Sequence, residues 1–305
     1  MTDIYNILIL GSGPIGASTA HFLTEQGIEK VGLITQDPTD DHSATYGYAG
    51  GSVRWYWDTE IKTEMTTMTS DFIFELDKQG VDLSLVKDNY LFLDIGKYVP
   101  SLNVNGKKLV RWFLDQAVSK SLELHEQEMI VSVIKENDIY IVKTNKAEYR
   151  SHKVLFALGT KNTEYVDGYT LAKEKRLLSV LDLPVGEYEQ NFPHTIISLP
   201  KGEAYIFIKK FPEGLRFVVG QEDVLEESDQ PGEENHFEEL LSAGLAVSAP
   251  FLKNAKVEKI LWGFDTQKKT LTLEEPQQGM FVANCGSAIR ACVWIGKEVA
   301  KKLQD

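Results

Sequence analysis

The sequence predicts a Rossmann-like α/β domain interleaved with a smaller α+β domain built on an antiparallel sheet. Three observations carry that prediction. The run IYNILILGSGPIGASTAHFLTEQGIEKVGLI (residues 4–34) reads as strand, glycine turn, helix and second strand. In the middle third, Thr195–Leu199, Ala204–Lys209 and Leu215–Gly220 are apolar or alternating runs with Gly or Pro between them, the pattern of an antiparallel sheet. Met280–Ala283 then resumes a buried-strand pattern and Ala288–Leu303 reads as a terminal helix. The chain is thus expected to leave its first domain near Tyr165 and return near Asp265, with 1–165 and 265–305 forming one domain and 166–264 the other.

The first unit carries G-x-G-x-x-G at Gly11, Gly13 and Gly16, directly after the apolar run Tyr5–Leu10. The first glycine permits the tight turn, the second lets backbone approach a pyrophosphate, and the third lets helix pack on strand. Pro14 suits the first helical turn, where no N–H is needed, and Ile15 follows it. The helix N-terminus offers N–H groups and partial positive charge to phosphates. This unit predicts a bound dinucleotide. The second strand ends in Ile34-Thr35-Gln36 where an acid is expected for the ribose, and the nearest carboxylate is Asp37. Either Asp37 reaches back, or hydroxyl and amide groups at Thr35 and Gln36 hold the ribose.

A Gly-, Asp- and Thr-rich loop, Thr35–Gly51, ends in AGGSVRWYW. Glu60–Gln79 and Lys107–Lys120 have the apolar spacing of amphipathic helices. Tyr90–Leu93, Met129–Ile134, Ile139–Thr144 and Lys153–Ala157 read as strands, the last leading into a turn at Gly159. Residues 222–239 are strongly acidic and read as a solvated loop entering a helix. Val257–Trp262 is a further strand.

With 305 residues and 43% hydrophobic content, the chain is long enough for two cores. A net charge of -13 disfavours nucleic acid and anionic membranes, which need clustered Lys and Arg. No segment approaches the ~20 apolar residues of a membrane span, and the first strand begins too early to leave room for a signal peptide. Two cysteines, Cys285 and Cys292, suit a reducing cytoplasm and make no zinc site. The six histidines show no metal-binding pattern.

Five blocks in order resemble the D-amino-acid oxidase superfamily of FAD enzymes, especially its glycine oxidase and sarcosine oxidase branch. They are GSGPIGASTAHFLTEQG (11–27), AGGSVRWYW (49–57), KVLFALG (153–159), LWGF (261–264) and GMFVANCGSAIRACVWIGKEVAKKL (279–303). The resemblance implies non-covalent FAD, since no cysteine lies near Arg54 or in 261–266, where a covalent link would be expected. It implies that Gly11, Gly13, Pro14, Ile15 and Gly16 hold the pyrophosphate and that Val131 lines the adenine. Gly50, Gly51 and Ser52 and the turn Gly286, Ser287, Ala288, Ile289 and Arg290 would embrace the flavin ring, and Gly159 would also contact the cofactor.

The same resemblance places Arg54 where the branch binds a substrate carboxylate. Arg290 lies six residues before Gly296, where the branch has a carboxylate-binding Lys, and an Arg there keeps the charge and adds a planar fork. Tyr205 falls where a substrate-side Tyr is found, and Arg216 lies near an oxygen-activating Lys. Trp55, Tyr56 and Trp57 are either core residues or, for one of them, an aromatic wall for an amine. Asp265 stands in place of a carboxylate-binding Arg; it either points elsewhere or favours a substrate with a second cation.

The expected activity is oxidation of a C–N bond of an amine or amino acid to an imine by hydride transfer to flavin N5, with oxygen or another acceptor reoxidising the flavin. The expected partners are that small molecule and either a homo-oligomeric mate or a partner subunit. The alternatives are a flavin-binding subunit of a larger complex and an NAD(P)-dependent dehydrogenase.

Overall fold

The computed structural model describes residues 4–36, 51–57, 59–92, 96–186, 192–199, 202–221, 235–266, 268 and 270–304. Gly50, Asp37 and most of the acidic stretch, residues 222–234, lie outside them. In chain order the first elements are β1 (Ile4–Leu10), α1 (Pro14–Glu25), β2 (Val31–Ile34), β3 (Ser52–Arg54), α2 (Glu60–Lys78), β4 (Val86–Phe92) and β5 (Lys97–Asn103). Then come α3 (Gly106–Ser119), β6 (Glu123–His125), β7 (Ile130–Glu136), β8 (Ile139–Thr144) and β9 (Glu148–Phe156). The remainder are β10 (Lys173–Pro184), β11 (His194–Leu199), β12 (Gly202–Phe211), β13 (Gly214–Gln221), β14 (Val257–Thr266), β15 (Thr272–Gln277), β16 (Met280–Asn284) and α4 (Ala288–Gln304).

The chain folds as two units, each interrupted in sequence: Met1–Gly47 with Gly106–Ala172 and Thr266–Asp305, and Tyr48–Asn105 with Lys173–Asp265. This differs from the expected division in two segments, residues 48–105 and residues 166–172, the latter staying with the first unit. Residues 48–105 group with the middle of the chain, because β4 pairs in parallel with β11 and carries β5 and β3 with it.

The first unit is built on a sheet of order β15-β16-β9-β1-β2-β6, parallel from β16 to β6, with the β7–β8 hairpin added beside β9. β1 is buried at every residue from Ile7 to Leu10 because sheet neighbours flank it and other layers cover it. α1 is buried from Pro14 to Thr24 and packs against α3 and α4. The close approach of α1 to α4 requires Gly296, whose Cβ would lie 2.6 Å from Ser18 Oγ.

The second unit is built on a sheet of order β14-β10-β13-β12-β11-β4-β5-β3. Its two faces differ. Ala204, Ile206, Ile208, Phe217 and Val219 bury one face against Phe237, Leu240, Leu245 and Leu252, from helical turns between His236 and Leu252. The alternate residues, including Tyr205, Phe207 and Val218, take the other face.

Candidate functional site

In the first unit the three motif glycines have three different environments. Gly11 adopts φ +105°, and a Cβ there would lie 2.6 Å from the Ala157 carbonyl oxygen. A Cβ on Gly16 would meet the Gly11 oxygen at 1.9 Å. These two are fixed by the packing of turn, helix and strand. At Gly13 a Cβ would meet no described atom within 4 Å. Gly13 is the N-cap of α1, no described side chain caps it, and Pro14 and Ile15 begin the first turn. The turn therefore closes tightly on two sides and opens at Gly13, beside the N–H-rich end of a buried helix. That shape and polarity fit a pyrophosphate.

At the end of β2, Thr35 Oγ1 lies 2.8 Å from Ser12 Oγ, and both residues are buried. Gln36 is exposed. The strand thus ends on a hydroxyl pair, and backbone pairing brings a carboxylate-bearing residue, Glu128, beside it. The Thr35 carbonyl accepts the Glu128 N–H (2.9 Å), and the Thr35 N–H donates to the His125 carbonyl (2.9 Å). The Glu128 carboxylate accepts from the Tyr149 hydroxyl (2.9 Å) and the Thr144 hydroxyl (2.7 Å). Tyr149 also meets His125 Nδ1 (3.3 Å), whose Nε2 meets the Tyr5 hydroxyl (2.9 Å). Burial pushes the His125 pKa down and the Tyr149 pKa up. This network carries no signal in the sequence, since its members come from four strands and two loops. Val131, on β7, is 59% exposed.

Gly159 (φ +62°) turns the chain after β9, and its carbonyl accepts the Asn284 side-chain amide (3.0 Å), stitching the ends of β9 and β16 together. Beyond β16, the Gly286 N–H donates to the Lys268 carbonyl (2.7 Å) and Ser287 adopts φ +60°. Ala288 and Ile289 open α4, and the Arg290 N–H donates to the Ser287 carbonyl (2.9 Å). Arg290 is half-buried in the first turn of that helix.

In the second unit, Gly51 (φ +70°) is buried against the end of β5. A Cβ on it would lie 2.0 Å from the Val104 oxygen. Ser52 and Arg54 follow on β3, both buried. α2 holds this strand through Thr66, whose hydroxyl donates to the Arg54 carbonyl (2.7 Å). The Arg54 guanidinium sits 3.9 Å above the ring centroid of Tyr90 and 4.8 Å from that of Trp57. Of the aromatics after Arg54, Trp57 faces the guanidinium, while Trp55 hydrogen-bonds Asp71 (2.6 Å) and packs on Phe74.

From Tyr90 the rings continue across the sheet. Tyr90 and His194 are 4.4 Å apart, His194 and Phe207 are stacked at 5.0 Å, and Phe207 and Tyr205 at 6.1 Å. Tyr205 is half-buried and its ring lies across Gly220, where a Cβ would come within 2.3 Å of it. On the same face Lys209 is buried, and burial with the nearby Lys259 brings its pKa down to about 8. Arg216 is in an ion pair with Glu258 at 3.1 Å. Asp265 is half-buried on β14. Tyr90, His194 and Phe207 do not stand out in the sequence as site residues. Their one signal is that all three are rings in apolar strand patterns, which core residues share.

No protein-family model matches the chain, and no curated protein matches it in sequence. Solved structures do. The L-proline dehydrogenase of P. horikoshii superposes with a TM-score of 0.79 at 15% identity, over 99% of this chain and 93% of that one. The iminodiacetate oxidase of Chelativorans sp. BNC1 gives 0.74 at 18% identity, over 98% and 95%. The glycine oxidase of Bacillus cereus ATCC 14579 gives 0.70 at 16% identity, over 98% and 97%. The chain shares their fold. It is the fold that the five sequence blocks imply, and no described helix is long and apolar enough to cross a membrane.

Proposed function

We propose that this protein is an FAD-dependent oxidoreductase that converts the C–N bond of a small amino acid or amine to an imine. The observation that carries the reading is the glycine turn, closed by packing at Gly11 and Gly16 and open at Gly13 over an uncapped helix N-terminus. The amino-acid class is supported by a buried guanidinium on an aromatic sheet face, and by the fold shared with a proline dehydrogenase, a glycine oxidase and an iminodiacetate oxidase.

When bound, FAD supplies the acceptor for a hydride from the substrate α-carbon. The chain's own residues bind and orient. The N–H groups of Gly13, Ile15 and Gly16 hold the pyrophosphate, and the Ser12–Thr35 hydroxyl pair meets the adjacent ribose in place of a carboxylate. The N-terminus of α4 and the Arg290 charge favour negative charge on the flavin ring. Arg54 pairs with the substrate carboxylate. Its bed of Tyr90 and Trp57 excludes water, which strengthens that pairing. No protein nucleophile takes part. Both cysteines are buried and neither is in a disulfide, and we assign the protein to a reducing compartment such as the cytoplasm.

The test is anaerobic. The purified protein should carry flavin that acid releases, and L-proline, glycine or iminodiacetate should bleach it. Protein that takes up no flavin after incubation with FAD, or a bound flavin that neither these nor simple amines bleach, would overturn the reading.

A further inference from the structure

We propose that Asp88 receives the cationic amine of the substrate whose carboxylate Arg54 holds, so that the β3–β5–β4 end of the second sheet is a site for a zwitterion. This rests on the function proposed above and extends it to a residue that neither the motifs nor the resemblance pick out.

The register makes the case. Arg54 on β3 is opposite Ser101 on β5, and Ser101 is opposite Asp88 on β4. Directly opposed residues of antiparallel strands project to one face, so guanidinium, hydroxyl and carboxyl form a single row. One step along, Ser52 is opposite Asn103 on the same face. The Arg54 side chain crosses toward β4 and lies over Tyr90, two residues from Asp88 and so roughly 7 Å along the strand. Among the described residues Asp88 has no cationic partner. Its contacts are the backbone N–H groups of Asn89 (2.6 Å) and His194. A spacing of this size matches a ligand with its carboxylate on the Arg54 side and its ammonium on the Asp88 side.

Arg54 and Ser101 in the row are buried and Asp88 is half-buried, and the row is incompletely bonded. Ser101 and Asn103 are 1% and 2% exposed, yet Ser101 Oγ, both polar atoms of the Asn103 amide and Asp88 Oδ2 make no hydrogen bond among the described residues. Native structures keep few such atoms, and a group of them on one face marks a place for a polar ligand. Water satisfies a hydroxyl or an amide equally well. It does not neutralise the Asp88 carboxyl, whose pKa burial lifts to about 6 against the pull of the two backbone N–H groups. An ammonium both neutralises the carboxylate and donates to it. Asn103 and Ser101, beside Arg54 in the row, supply the remaining donors for the ligand carboxylate.

The holoenzyme provides the test. Anaerobic bleaching by L-proline, glycine and iminodiacetate gives half-saturating concentrations for zwitterions. The spectral shift of bound flavin on adding propionate gives the affinity for a carboxylate without an amine. Asp88→Asn should raise the half-saturating concentration of whichever amino acids bleach the wild type by about tenfold or more, and leave propionate within about twofold. Arg54→Ala should weaken both classes. Asp88→Glu, which keeps the charge, should recover part of the amino-acid affinity, a rescue that a merely structural role would not give. If Asp88→Asn weakens amino acid and propionate alike, or neither, the zwitterion site is wrong while the flavin reading stands. If only simple amines bleach the wild type, this proposal falls alone; if neither amino acids nor amines bleach it, the functional reading itself falls and takes this proposal with it.

Discussion

The glycine turn of the first unit and the polar row of the second are specified in opposite ways. The turn is local: Gly11, Gly13 and Gly16 lie within six residues, and their spacing alone fixes what the backbone can do there. The row is assembled from three strands, with Arg54, Ser101 and Asp88 brought together only by register. A change in the turn therefore acts through the space a side chain takes, against backbone at Gly11 and Gly16 and in the opening at Gly13, and a change in the row acts through charge and hydrogen bonding. The two regions should fail differently when altered.

The largest effect is expected at Gly16. With 1.9 Å between a Cβ and the Gly11 oxygen, Gly16→Val forces the turn apart, and overpacking of this kind costs about 1–3 kcal/mol or more. Loss of soluble protein or of a cooperative melt is the expected outcome. Gly13→Val, three residues earlier, meets no described atom within 4 Å. It should fold and melt as the flavin-free wild type does, yet bind little flavin, since the branched side chain takes the pyrophosphate's place. Equal flavin content in wild type and variant would break the contrast between the two glycines.

In the second unit, Arg54→Ala removes a charge-assisted bond worth about 1.5–3 kcal/mol, one to two powers of ten in amino-acid affinity. Arg54→Lys keeps the charge without the fork and should fall between. A simple amine lacking a carboxylate should bind both variants much as it binds the wild type. Arg290→Ala should likewise slow flavin reduction by an amino acid, and Arg290→Lys should retain more of it.

The smallest effect concerns stability. Burial raises the folded-state pKa of Asp88 from 3.8 to about 6, so between these values the folded state binds more protons than the unfolded state. Stability therefore falls as pH rises through that window, and the charged carboxylate is a burden at neutral pH. Asp88→Asn should melt a few degrees higher than wild type at pH 7.5, with the difference shrinking toward pH 4. A variant that melts lower at neutral pH would mean that Asp88 has a stabilising partner in the free protein.

How much of this was legible follows the same division. The strand–turn–helix unit reads directly, because apolar runs, glycine spacing and Pro14 all lie within one window. β3 reads as the end of a loop, since three residues, SVR, carry no periodicity. β10 is unmarked because KEKRLLSVLDLP begins with charges and shows no clean alternation. The grouping of 48–105 with the middle of the chain depends on β4 pairing with β11, about a hundred residues away, which local pattern does not encode. Asp88 follows from that pairing: within VKDNYLF it is one polar residue among several, and its burial depends on its strand neighbours. Tyr205, expected at a substrate face from the resemblance, stands in a continuous line of rings, and Gly220 makes the room for it.

The most direct measurement compares FAD with riboflavin as ligands of the flavin-free protein, read by thermal unfolding. FAD carries the pyrophosphate that the Gly13 opening is proposed to hold, and riboflavin carries the same ring without it. A ligand at a hundred times its dissociation constant stabilises by about 2.7 kcal/mol. The account predicts that FAD raises the melting temperature of the wild type and not of Gly13→Val, and that riboflavin raises neither appreciably. Equal stabilisation by riboflavin, or an undiminished response of Gly13→Val to FAD, would contradict it.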